Sequence, residues 1–231
     1  MSKLKAQSLK IQSLSLQLPD GIYLCRDLSF SIEPGSTLAL MGHSGSGKSS
    51  ILNWITGTLN PAIKASGQVF LGQRNISELP VEHRGLGLML QQDYLFPHMS
   101  VGQNLKFGLL GGSKAQRDDI VNQSLHSAGL DGMAHRDPAT LSGGQRARVS
   151  LLRTLLSNPH ALLLDEPFSR LDTHLRTQIR EFTWASAEQL PILLVTHDAD
   201  DIPPHAEVLV LESDARYNEN SSNRVVDNYA G

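Results

Sequence analysis

The stretch Thr37-Leu38-Ala39-Leu40-Met41-Gly42-His43-Ser44-Gly45-Ser46-Gly47-Lys48-Ser49-Ser50-Ile51-Leu52-Asn53-Trp54-Ile55 joins an apolar, strand-like run to a helix-like run through a glycine-rich loop. Strand, then loop, then helix is the context that a phosphate-binding loop requires. Gly42, Gly45 and Gly47 lack a Cβ, so the backbone can take positive φ and turn its N–H groups inward around an anion. The helix beginning near Lys48 and closing at Gly57 adds the partial positive charge of its first turn. Lys48 is expected to reach the β- and γ-phosphates of a nucleotide. The Ser49 hydroxyl is expected to complete a Mg²⁺ shell, because a hard cation takes oxygen ligands. Gly42, His43, Ser44, Gly45, Ser46, Gly47, Lys48 and Ser49 are therefore the first candidate nucleotide-binding set.

Working outward, three more apolar runs end in polar residues at strand-end positions, where open α/β sheets bind ligands. Ala161-Leu162-Leu163-Leu164 reads as a strand buried on both faces and ends in Asp165-Glu166-Pro167. Asp165 is expected to hold Mg²⁺ through water, and Glu166 to polarise the attacking water at the γ-phosphate. Ile192-Leu193-Leu194-Val195 ends in Thr196-His197-Asp198, which turns His197 toward the same crevice. Gly87-Leu88-Met89-Leu90 ends in Gln91, and the neighbouring Gln92 makes the choice between the two depend on register. Taken alone, each has a plain reading: a capped acidic strand end, a structural histidine, a loop glutamine. The phosphate loop is what draws them into one site.

About 100 residues after that loop stands Leu141-Ser142-Gly143-Gly144-Gln145. Ser142 is a good helix N-cap, Gly143 and Gly144 permit close backbone approach, and Val149, Leu152, Leu155 and Leu156 follow at helical spacing. This is a second helix start built to receive an anion.

The two loops together resemble the nucleotide-binding subunit of ATP-binding-cassette (ABC) transporters, over roughly residues 4 to 211. The resemblance implies an α/β P-loop cassette with a parallel sheet core, an antiparallel β-subdomain and an inserted helical subdomain at about 92–158. It implies an ATPase using ATP and Mg²⁺, with Glu166, His197 and Gln91 catalytic and Ser49, Gln91 and Asp165 about the metal. His197 corresponds to the switch histidine that senses the γ-phosphate. Two copies would pack head to tail as an ATP-dependent homodimer, each ATP held by the phosphate loop of one and by Ser142, Gly143, Gly144 and Gln145 of the other. Ser169-Arg170-Leu171-Asp172 matches the loop that crosses that interface, with Arg170 in place of the usual alanine and Asp172 beside the nucleotide. The family's adenine-stacking aromatic would fall near Leu18-Pro19, where none stands. Tyr23, the nearest aromatic, reads as a packed strand residue, which leaves apolar side chains for the base.

Pro138 to Val149, Asp165 to Asp172 and Tyr94-Leu95-Phe96-Pro97-His98-Met99-Ser100-Val101 look most like bacterial importer ATPases of the thiamine, ferric iron and polyamine group, and especially the Ynj-type. Such a subunit implies an integral membrane permease docked near Tyr94–Val101, and indirectly a periplasmic solute-binding protein. An exporter or lipoprotein-release ATPase shares the same catalytic residues. A soluble, non-transport ABC ATPase is the other alternative, although tandem cassettes or long coiled-coil insertions are usual there.

Composition fits. The 231 residues can hold one large core, and 40% hydrophobic content is ordinary for a soluble chain. No apolar run approaches the roughly 20 residues of a membrane span. No signal segment follows Met1–Lys5, so the chain is expected at the cytoplasmic face of the inner membrane. A net charge of −3 without a basic run argues against nucleic acid. Cys25 reads as a small buried hydrophobe. Residues 4–36 and 66–74 read as antiparallel strands, 37–57 and 159–211 as the parallel core, and 212–231 as a polar C-terminal tail. The expected helix at about 173–189 carries Leu175, Ile179, Phe182 and Ala185 on its packed face.

Overall fold

Leu9, Ile11, Leu14 and Leu16 are fully buried while the residues between them reach toward solvent, the pattern of a sheet with one covered face. In the computed structural model, which describes residues 7–109 and 111–211 and the backbone of Val225–Val226, they lie on strand β1 (Leu9–Gln17). β1 pairs antiparallel with β2 (Tyr23–Ile32) and β4 (Lys64–Leu71), and β5 (Arg74–Asn75) completes a sheet of order β2-β1-β4-β5. Cys25 is buried here, and burial pushes its thiol up to about 12, which leaves it an inert hydrophobe.

A second sheet is built on β3 (Thr37–Met41). With β6 (Leu86–Met89), β7 (Ala161–Asp165), β8 (Ile192–Val195), β9 (Glu207–Val210) and β10 (Val225–Val226) its order is β10-β9-β3-β8-β7-β6. β3 runs parallel to β8 and β9, and β7 runs parallel to β8. The apolar residues of β7 and all of β8 are buried, as strands covered on both faces should be. Helix α1 (Lys48–Thr56) follows β3 and buries Ile51, Leu52 and Ile55. The two sheets and α1 belong to one compact unit, drawn from the described residues of 7–88, 160–166 and 189–211 with Val225–Val226. Most of the expected tail, 212–231, lies outside the described residues; Val225–Val226 pairs antiparallel with β9.

The second unit comprises the described residues of 89–159 and 167–188. It holds α2 (Val101–Phe107), α3 (Lys114–Ser127), α4 (Gly143–Leu156) and α5 (Thr173–Ser186) around Val101, Leu105, Val121, Leu125, Val149 and Leu152. α5 differs from its sequence-based expectation in two ways. It groups with the helices, because Leu175 packs on Gly144 and Phe182 joins the helical cluster. Its buried stripe also runs through Ile179, Thr183 and Ala187 and leaves Ala185 exposed. Thr183 tolerates burial because its hydroxyl donates to the Ile179 carbonyl at 2.7 Å.

Candidate functional site

The loop after β3 needs its last glycine twice over. Gly47 sits at φ 92°, which side chains disfavour, and a Cβ there would come within 2.9 Å of Leu24 on β2. Gly47 is also the N-cap of α1, and no side chain caps that helix. The first-turn N–H groups of α1 are thus left for solvent or an anion. Lys48, only 6% exposed, donates to the carbonyls of Gly42 at 2.7 Å and His43 at 2.8 Å, and to Ser46 Oγ at 3.4 Å. Burial lowers its pKa from the ordinary lysine value, against the pull of Glu166 and Asp165. His43 turns its Nδ1 to the Ser44 carbonyl at 2.8 Å, on the exposed side of the loop.

β7 and β8 deliver their end residues to this unit. Ser49 Oγ donates to Asp165 Oδ1 at 3.4 Å. Burial raises the Asp165 carboxyl above its ordinary range; the Ser49 bond opposes that shift, Glu166 adds to it and Lys48 opposes it. A hydroxyl beside a desolvated carboxyl, a second carboxylate nearby and an uncapped helix start make a donor set that fits a hard divalent cation and a polyphosphate. Glu166 Oε1 lies 3.0 Å from His197 Nδ1. Glu166 stands at φ 46°, a left-handed conformation that costs a non-glycine residue of order 1 kcal/mol or more and clusters at functional positions. Its N–H donates to the Val195 carbonyl at 2.9 Å, so β8 holds the strained turn in place. Gly42–Ser49, Asp165, Glu166 and His197 are therefore brought together in one unit.

Gln91, Ser142–Gln145 and Asp172 belong to the helical unit. Gln91 Nε2 donates to Ser169 Oγ at 3.1 Å. Ser142 caps α4 in a reciprocal box: its Oγ accepts from Gln145 N at 3.3 Å, and Gln145 Oε1 accepts from Ser142 N at 2.9 Å. Gly144 is buried where a Cβ would run into Leu175, so the close approach it permits is to α5 of the same chain. Asp172 caps α5, accepting from Leu175 N at 3.0 Å. Tyr23 opens β2 with the Arg26 guanidinium 3.8 Å from its ring centroid, as a strand residue engaged with its own neighbour.

Sequence reasoning missed several supports. Thr196 and Asp201 are both 1% exposed, and the Thr196 hydroxyl donates to Asp201 Oδ2 at 3.1 Å, which anchors the turn carrying His197. Arg84 donates to the carbonyls of Trp54 and Ile55 in the last turn of α1, and to those of Ser77 and Leu79. Fully buried Asn104 holds loop 96–100 through both amide atoms. The Ser-x-x-Gln pattern at Ser100 and Gln103 was a readable signal for the start of the helix that carries Asn104.

Residues 25–169 match the family model described as ABC transporter. The chain belongs to the ABC transporter family. It is 43% identical to an uncharacterized ABC transporter ATP-binding protein, YnjD, of Escherichia coli (strain K12), over 91% of this chain and 96% of that one. It is 40% identical to the sulfate/thiosulfate import ATP-binding protein CysA 2 of Agrobacterium fabrum, over 80% of this chain and 55% of that protein. It is also 40% identical to the Fe(3+) ions import ATP-binding protein FbpC of the same organism, over 76% of this chain and 50% of that one. The chain spans about half the length of the latter two. As a member of this ABC family it is an ATP-binding subunit, and the activity is ATP hydrolysis coupled to transport.

Proposed function

We propose that this ATPase powers a bacterial importer fed by a periplasmic solute-binding protein, as two copies packed head to tail. The observation that carries the reading is the uncapped start of α1 in one unit with the Ser49–Asp165 and Glu166–His197 pairs. The first-turn N–H groups of α1 and Lys48 bind the β- and γ-phosphates, with Lys48 exchanging its bonds to Gly42 and His43 for phosphate oxygens. Ser49 and Asp165 would hold Mg²⁺. Bound Mg²⁺ supplies the charge that offsets negative charge developing on the phosphate oxygens. Glu166 orients and polarises the attacking water, and His197 keeps its carboxylate in one orientation. Ser142, Gly143, Gly144, Gln145 and Asp172 of the second copy complete the site, so ATP closes the pair and hydrolysis lets it open.

No described helix is long and apolar enough to cross a membrane, so the spans come from a separate permease. Its docking site is a cleft of about 440 Å³ in the helical unit, lined by Gln91, Tyr94, Leu95, Pro97, Arg146 and Arg170 among others. Tyr94 is 60% exposed at φ 41°, a strained aromatic offered to a partner. The import proteins among the relatives support the direction of transport. The chain thus works at the cytoplasmic face of the inner membrane and makes no nucleic-acid contact. Affinity purification from native membranes in mild detergent, followed by mass spectrometry, tests this. A multi-span permease is the expected companion; ribosomal or DNA-bound partners would overturn the transport reading.

A further inference from the structure

α4 carries more than the Ser142–Gln145 turn at its start. Arg146, Ser150 and Arg153 fall at helical spacing along one face, and all three grip the loop after Gln91. Ser150 Oγ donates to the Asp93 carbonyl at 3.1 Å, and Arg153 donates to the carbonyls of Asp93 at 3.3 Å and Tyr94 at 2.9 Å. The Arg153 guanidinium also lies 5.2 Å from the Phe96 ring centroid. Arg146 divides its fork. Nε meets Asp93 Oδ2 at 3.3 Å, while Nη1 donates to the carbonyl of Leu141, the residue just before Ser142, at 2.7 Å. Burial pushes the Asp93 carboxyl up from its ordinary range, against the opposing pull of Arg146, Arg170 and Arg153.

We propose that Arg146 is a positioning residue: through Asp93, a partner seated on the Tyr94 loop sets the geometry of the Ser142 turn. The proposal rests on the docking and shared-site readings above, and it names the atoms that link them. The loop from Asp93 to Phe96 is stapled to α4 by backbone-directed bonds that survive side-chain changes at Asp93. The Asp93–Arg146 pair is the part of the staple that touches the residue before the cap. A guanidinium spreads its donors along a planar fork, so Nε faces Asp93 Oδ2 while Nη1 faces the Leu141 carbonyl, whereas a lysine ammonium gathers its donors on a single nitrogen. Asp93 and Arg146 therefore divide the labour. Without Asp93, Arg146 keeps its bond to Leu141 and the turn keeps its shape, but displacement of the loop no longer reaches it. Without Arg146, the turn itself loosens.

The test uses the permease complex recovered with the wild-type chain, in lipid vesicles, and compares Mg·ATP turnover of the complex with that of the isolated subunit. Asp93→Asn, which preserves shape, and Asp93→Ala are expected to cut stimulation by the permease about 5-fold, the scale of a part-exposed charge pair. Turnover of the isolated subunit should hold in both. Arg146→Ala is expected to lower turnover in the complex and in the isolated subunit alike, and Arg146→Lys to restore the subunit's turnover without restoring stimulation. A merely structural role would move stimulation and isolated turnover together in all four variants. Wild-type stimulation in Asp93→Ala and Asp93→Asn would overturn the inference and leave the docking reading standing. A wild-type chain that no permease stimulates would overturn both.

Discussion

α1 begins at Gly47 with no side chain folded over its first N–H groups, whereas α4 begins at Ser142 with a reciprocal capping box to Gln145. Among the five described α-helices, only α1 lacks a side-chain cap. A cap contributes about 1 kcal/mol, so leaving one out at a helix that packs Ile51, Leu52 and Ile55 into the core is a cost with a purpose. The α1 start is open, and on the reading proposed above an anion fills it. The α4 start is already satisfied, so it stays folded without ligand while its hydroxyl proton remains free to donate. On the reading proposed above, one binds, and the other closes over what is bound.

The largest expected effect breaks the chemistry without breaking either helix start. Glu166→Gln should retain ATP, lower turnover by roughly 10²- to 10³-fold and accumulate as a dimer in sedimentation experiments with Mg·ATP. Unchanged turnover would remove Glu166 from the reaction. Next come the glycines. Gly144→Ala forces a Cβ into Leu175 and should destabilise the chain by about 2 kcal/mol in chemical denaturation, because the Leu175 side chain must turn aside or α4 and α5 must draw apart. Gly47→Ala strains the open start and meets Leu24, so it should weaken ATP binding as well as stability; unaltered affinity would mean that the α1 loop does not hold the phosphates.

Ser142→Ala should have a smaller effect, about 1 kcal/mol of stability from the lost cap, with ATP binding by the monomer unaffected and the dimer weakened. Monomer binding that fell with it would erase the contrast between the two helix starts. The subtlest expectation concerns pH. The Asp165 carboxyl is raised in the folded chain, so its stabilising contribution is present below the unfolded carboxylate pKa of about 3.9 and is lost as pH rises through the folded value. Without nucleotide, Asp165→Asn should therefore gain stability over the wild type between acid and neutral pH, while losing Mg²⁺-dependent turnover. A wild type that gains on the variant over that range would have the sign reversed.

Much of this was legible in the chain. The eight residues Gly42–Ser49, the carboxylates after Leu164 and His197 after Val195 are read from local order alone, since a strand end followed by a polar residue needs only the strand to be recognised. What stayed hidden depends on residues distant in sequence. Gly144 was read as room for an anion, yet its lack of a Cβ also answers to Leu175, which the chain sets beside it only when α5 folds back. Arg84 looks like a surface arginine until the last turn of α1 brings the Trp54 and Ile55 carbonyls to it. The left-handed backbone of Glu166 has no residue signature, because glutamate is not a residue that favours it. Ala185 was misread for a different reason: Thr183 supplied its own hydrogen bond and took a buried position that an apolar count gave to alanine.

The sharing of ATP between one α1 start and another copy's α4 start can be tested directly by mixing two defective chains. Lys48→Ala spoils the open start and keeps Ser142; Ser142→Arg blocks the capped start and keeps Lys48. Neither chain alone should trap labelled ATP in a dimer. A site shared between copies requires that the mixture trap it, because each mixed pair assembles one site with an intact Lys48 and an intact Ser142. A mixture as empty as its components, with both chains folded, would contradict the shared site.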